Sequence, residues 1–105
     1  MTISIEETTD GICRASVTGE MTIYYAAEMK EELLPCVARG REVEINLSGV
    51  AEMDTAGFQL LLLAKREAAA AGKPLRLVAH SPATLEVLDL FNMASYFGDP
   101  VVISG

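Results

Sequence analysis

Glu44-Ile45-Asn46-Leu47-Ser48-Gly49-Val50-Ala51-Glu52-Met53-Asp54-Thr55-Ala56-Gly57-Phe58 is the stretch that decides the fold. Val43, Ile45 and Leu47 alternate with Glu42, Glu44 and Asn46, which is the pattern of a strand with one apolar face. Ser48-Gly49 supplies turn chemistry after it. Asp54 or Thr55 can then cap a helix by accepting a backbone N–H from its first turn. In that helix Phe58, Leu61, Leu62 and Lys65 fall on one stripe, and Lys65 can lay its stem along the core edge. Gly72 is the expected end, with Pro74 close behind. Thr55 is thus placed at a helix N-terminus beyond a strand end, with its hydroxyl near solvent. Backbone N–H groups and the positive end of the helix dipole gather there.

Outward from this unit the chain alternates strands and helices. Ile3 and Ile5 open a first strand, Thr9-Asp10-Gly11 turns a hairpin, and Cys13, Ala15 and Val17 alternate in a second strand ended by Gly19. A helix is predicted from about Thr22 to about Ala38, closed by Gly40, with Ala26, Met29, Leu33 and Val37 at helical spacing. Pro35 should kink or divide it. Leu75 and Leu77 mark a fourth strand. Ser81 caps a helix opened by Pro82, with Leu85, Leu88 and Phe91 as its core stripe. Val101 and Ile103 suggest a last edge strand. The polar and apolar alternation fits helices on one sheet face and a partly exposed opposite face. The expectation is one α/β domain over 1–105, with a mixed four- to five-stranded sheet and three or four helices mainly on one face.

Met53-Asp54-Thr55-Ala56-Gly57, the strand Pro74-Leu75-Arg76-Leu77-Val78 and the corner Leu88-Asp89-Leu90-Phe91-Asn92-Met93 together resemble a STAS domain, the fold of anti-sigma factor antagonists. The resemblance implies the STAS fold and a non-enzymatic regulatory module that acts by binding proteins. In the best-known members a partner kinase, which is also the anti-sigma factor, phosphorylates a hydroxyl of this turn, usually the second. Here Ala56 stands at that position and Thr55 keeps the first hydroxyl. Asp-Thr-Ala-Gly also resembles the STAS subunits of lipid-transport ABC systems, which contact an ABC ATPase without needing a phosphate. Stand-alone STAS adaptors of chemotaxis kinases are similar as well. The implied partner is therefore an anti-sigma or serine-threonine kinase, a chemotaxis kinase, or an ABC ATPase.

Composition narrows the function classes. A chain of 105 residues is enough for one core. Half of it is hydrophobic and the mean hydropathy is +0.29, yet no apolar run approaches the ~20 residues of a spanning helix. The N-terminus lacks the basic start and apolar core of a signal peptide, so a cytoplasmic protein without direct membrane insertion is expected. A net charge of −7 argues against nucleic acid, whose phosphates need clustered Lys and Arg. Cys13 and Cys36 lack CxxC spacing and read as reduced, partly buried small hydrophobes. The single histidine, His80, reads as a strand-end residue. No metal-ligand spacing, Walker A or Rossmann glycine motif is present, and no cofactor is expected. No assembled nucleophile and base suggests an enzyme. Exposed strand edges allow a monomer or a weak homodimer.

The candidate site residues follow from the turn. Thr55 is the phosphorylation candidate, with an ordinary helix cap as the plain alternative. Asp54, Thr55, Ala56, Gly57 and Phe58 form the expected partner-binding turn and helix start. Tyr24 and Tyr25, with Met21, cluster at the start of the first helix, where they either meet a partner or seal the end of the core. Ser48 reads as turn chemistry. A phosphate on Thr55 would sit beside Asp54. Unit charges ~4 Å apart repel by about 4 kcal/mol at an effective dielectric near 20, whereas a helix terminus returns only ~0.3–1 kcal/mol. Phosphorylation is therefore expected to weaken a complex, through repulsion of an acidic partner surface or desolvation at the interface, and to leave the fold intact.

Overall fold

In the computed structural model, which describes residues 2–90, four strands form one sheet in the order β1-β2-β3-β4. The strands are β1 (Thr2–Glu7), β2 (Ile12–Met21), β3 (Glu42–Met53) and β4 (Leu75–Val78); the helices are α1 (Ala26–Arg39), α2 (Thr55–Ala70) and α3 (Pro82–Leu90). β1 pairs antiparallel with β2, and β2–β3 and β3–β4 are parallel. This is the expected mixed sheet with three helices. Phe91 and the Val101–Ile103 strand of the sequence reading lie outside the described residues.

The alternation seen in the sequence becomes the division between core and open face. Cys13, Ala15, Val17, Val43, Ile45, Leu47, Leu75 and Leu77 are buried and meet Met29, Leu33, Val37, Leu61, Ala64, Ala68 and Leu88 of the helices. The opposite face is polar. Along one row of the sheet Glu6 lies beside Arg14, Arg14 beside Glu44, and Glu44 beside Arg76. Glu44 reaches Arg14 at 3.5 Å and Arg76 at 3.7 Å. Such exposed cross-strand pairs add little stability but oppose a slip of register.

Two strands are longer than their turn residues suggested. Gly19 does not end β2; it lies inside it at φ 102. Ser48-Gly49 does not turn the chain either, because β3 runs on for 12 residues to Met53. The pairing steps from Ser16–Asn46 to Thr18–Gly49 and shifts again between Gly19 and Glu20. Each shift takes up one extra residue of β3, so the turn formers bend the strand without breaking it. Asn46 Oδ1 accepts from the Ser48 backbone N–H at 2.9 Å and from its hydroxyl at 2.7 Å, which holds the bulge.

The helices differ from expectation in similar ways. Residues 22–25 form a turn, closed by Tyr25 N–H donating to Thr22 O at 3.0 Å, and α1 begins only at Ala26. The β-branched and aromatic run Thr22-Ile23-Tyr24-Tyr25 is poor helix former. Pro35 does not divide α1, which continues through it to Arg39. The proline is exposed, so the carbonyl one turn back that loses its donor can face water. Lys73 Nζ donates to the last carbonyls of α1, Val37 O at 2.8 Å and Ala38 O at 2.7 Å, where a cation is favoured. α2 ends as the sequence predicts: Gly72 N–H donates to Ala69 O and Lys73 N–H to Ala68 O, the paired bonds of a Schellman ending. Lys65 stays against the core edge and donates to Leu75 O at 3.1 Å. Ser81 caps α3 by accepting from Thr84 N–H at 3.2 Å.

The cysteines depart most from the sequence reading. Cys13 of β2 and Cys36 of α1 are joined in a disulfide, with Cα atoms 5.9 Å apart, and both are fully buried. The helical stripe that buries Met29 and Leu33 also turns Cys36 onto the sheet opposite Cys13. Sequence spacing alone could not show that meeting.

Candidate functional site at the start of the second helix

The loop between β3 and α2 is a single residue, Asp54. Its backbone is extended (φ −112°, ψ −173°), as a helix cap requires, and its backbone N–H donates to Met21 O at 3.2 Å. Of the two cap candidates, Asp54 takes the role. Oδ1 accepts from Gly57 N–H at 3.1 Å, and Oδ2 accepts from Ile23 N–H at 2.9 Å. One carboxylate thus caps α2 and pins the turn before α1. Desolvation pushes the Asp54 carboxyl up, but the backbone N–H groups of Ile23, Gly57 and Ala56 outweigh it, so its pKa lies below the ordinary 3.8.

This arrangement frees the Thr55 side chain from capping. Thr55 is exposed at the first residue of α2, Ala56 is half-buried beside it, and Gly57 and Phe58 are buried. Gly57 packs directly on the end of β2. A methyl there would run into the Met21 carbonyl oxygen and lie 2.9 Å from Met21 Cβ. Phe58, 5 % exposed, anchors the helix in the core. Gly57 and Phe58 therefore support the turn from beneath, while Thr55 is presented at its surface.

The two tyrosines separate. Tyr24 is 86 % exposed, whereas Tyr25 is half-buried against the core. Ile23, 66 % exposed, joins Tyr24 to make an apolar patch beside the Asp54 cap. Sequence reasoning missed Ile23. The available signal was an isoleucine off the Ala26-Met29-Leu33-Val37 stripe, next to a tyrosine that could not face the core.

A cavity of about 380 Å³ lies between the end of β3 and α3. Ala51, Glu52, Met53, Ala83, Glu86, Val87 and Leu90 line it. Leu90 is 77 % exposed. Glu52 lies beside Glu20 in the parallel register, and both are exposed. Ser48, read as turn chemistry, sits in the bulge, and His80 is buried just beyond β4. Among the described residues no cluster of His, Cys, Asp and Glu could hold a metal ion, and no helix is long and apolar enough to cross a membrane.

Comparison with known proteins agrees with this architecture. A family model described as Mlab, STAS domain, matches residues 6–102. An anti-sigma factor antagonist from Mycobacterium paratuberculosis superposes with a TM-score of 0.84 at 24% identity, over 96% of this chain and 86% of that one. The anti-sigma factor antagonist SpoIIAA in its unphosphorylated form gives 0.75 at 18% identity, over 95% and 89% of the two chains. The Bacillus cell fate determinant SpoIIAA in its phosphorylated form gives 0.72 at 17% identity, over 95% and 92%. No curated protein matches the chain.

Proposed function

The chain belongs to the STAS domain family, and from that premise we propose that it is a regulatory protein-binding module, not an enzyme, which engages its partner through the turn and helix start at Thr55. The observation that carries this reading is the exposure of Thr55 on a turn that Asp54 fixes through both Gly57 and Ile23, with Ile23 and Tyr24 exposed beside that second anchor. Exposed aromatic and aliphatic side chains on a rigid base suit a protein contact. Both cysteines are held in the disulfide and fully buried, so neither offers a free thiol.

A kinase of the anti-sigma type is the first partner class, with Thr55 as its phosphorylation site. The Asp54 carboxylate already accepts from the N–H groups that a helix N-terminus would offer a phosphate. A phosphate on Thr55 would remain at the surface beside Asp54, just beyond the strand ends that carry Glu52 and Glu20. The acidity of this surface does not suit an acidic partner. Desolvation of the phosphate at the interface is then the route by which modification would weaken the complex.

A second partner class, an ABC ATPase, is favoured by Ala56. Asp-Thr-Ala-Gly is the turn that resembles transporter STAS subunits, and it lacks the second hydroxyl. Affinity capture from the source cells with wild type, Thr55→Ala and Thr55→Glu separates the two, with mass spectrometry of the partner and of Thr55. A kinase held by wild type and Thr55→Ala but lost with Thr55→Glu, together with phosphate on Thr55, supports the phosphoswitch. An ABC ATPase captured with unmodified Thr55 supports the transporter reading. Capture of no specific protein by any of the three overturns the binding-module proposal.

A further inference from the structure

The charge of this chain is distributed unevenly over the fold. All eight Lys and Arg residues lie outside 18–29, 47–64 and 79–90. Those three segments carry the far ends of β2 and β3, the first turn of α1, most of α2 and all of α3. They contain six carboxylates: Glu20, Glu28, Glu52, Asp54, Glu86 and Asp89. Glu20 and Glu52 are register neighbours on parallel strands, and neither makes an ion pair among the described residues. Like charges side by side on a sheet oppose each other, and the arrangement costs stability unless something else uses it.

Glu52 also lines the cavity beside α3, together with Glu86 and the apolar Ala51, Met53, Ala83, Val87 and Leu90. The cavity lining thus combines apolar side chains with two carboxylates. We propose that it receives a cationic amphipathic segment of the protein partner, with apolar side chains against the apolar lining and Lys or Arg beside Glu52 and Glu86. This inference rests on the binding-module reading above and names the chemistry of the partner. The same two carboxylates repel phosphate, so a nucleotide does not suit the cavity. An interface of opposite charge would also speed encounter and become weaker as salt screens it.

The test uses the full chain and a defined probe: a leucine–lysine amphipathic peptide of about four helical turns, with a leucine–glutamate peptide as control, followed by backbone NMR. The expected result is shifts at Ala51–Met53 and Ala83–Leu90 with the lysine peptide, none with the glutamate peptide, and weakening as salt rises. Glu52→Gln with Glu86→Gln should lower affinity roughly tenfold, as two exposed charge contacts are lost. Glu31→Gln with Glu32→Gln, an equal charge change on the exposed side of α1, should leave it unchanged. Equal loss in both double variants would show general attraction to an acidic protein and overturn the proposal. So would shifts elsewhere, or no shifts because another part of the chain fills the cavity. The captured partner then separates the two readings. If Glu52→Lys with Glu86→Lys still captures it while Thr55→Glu does not, the binding module stands and the cationic segment is wrong. If no variant and not the wild type captures a partner, the module reading itself has failed.

Discussion

Asp54 Oδ2 accepts the backbone N–H of Ile23 at 2.9 Å, although the two residues are 31 apart in sequence. The other oxygen caps α2 through Gly57. A single side chain therefore fixes the spacing between Thr55 and the exposed Ile23–Tyr24 pair. Asp54→Ala should cost about 0.5–2 kcal/mol for the lost cap, while the exposed Ile23 N–H can turn to water. Chemical denaturation measures the loss, and faster amide exchange at Ile23 and Gly57 should accompany it.

The lowered pKa of Asp54 gives the pH dependence a sign. A carboxyl with a folded-state pKa below its unfolded value contributes stability that is fully present above the ordinary 3.8 and disappears as pH falls through the folded value. Between pH 5 and 7 this contribution should be flat. A carbon-detected NMR titration of Asp54, with the Ile23 amide shift followed in parallel, should place its midpoint below 3.8. A midpoint above that value would contradict the clip.

Gly57→Ala should destabilise through overpacking, because the new methyl meets the Met21 backbone and not the flexible end of a side chain. The expected cost is about 1–3 kcal/mol. The helix start should move away from β2, with NMR shifts at Met21 and Ile23. Equal stability of Gly57→Ala and wild type in denaturant would show that the close approach does not constrain the turn.

The Cys13–Cys36 link closes a loop of 23 residues in sequence separation. Loop-closure entropy assigns such a crosslink ~3 kcal/mol, less if the reduced chain retains structure. Adding a thiol reductant should lower the denaturation midpoint of wild type and leave Cys13→Ala with Cys36→Ala unaffected. An equal response of both proteins would mean that the crosslink does not stabilise the fold.

Thr55→Glu should leave the fold as it is. The side chain is exposed and the cap is made by Asp54, so stability should change by about 0.5 kcal/mol or less. Backbone shifts should stay within the start of α2 and the Ile23 turn. Changes spread across β2 and β3 would show that charge at Thr55 acts through the sheet and not at the surface.

Much of this protein was determined by the sequence alone. Alternation in 43–47 and in 13–17 set the strands, Phe58 and Leu61 of the α2 stripe are buried as read while Leu62 and Lys65 are half-buried, and Asp54 or Thr55 and Gly72 marked where that helix starts and stops. These are local signals: a cap, a period and a helix ending depend on neighbours a few residues away. The tertiary structure decided the rest. It turned Ser48-Gly49 into a bulge, since pairing to β2 outweighs the local turn preference. It brought Cys36 onto Cys13, joined Ile23 to Asp54, and brought Glu52 and Glu86 to the lining of one cavity. Each of those meetings joins segments distant in sequence, and their separation in space is fixed only when the helices pack on the sheet.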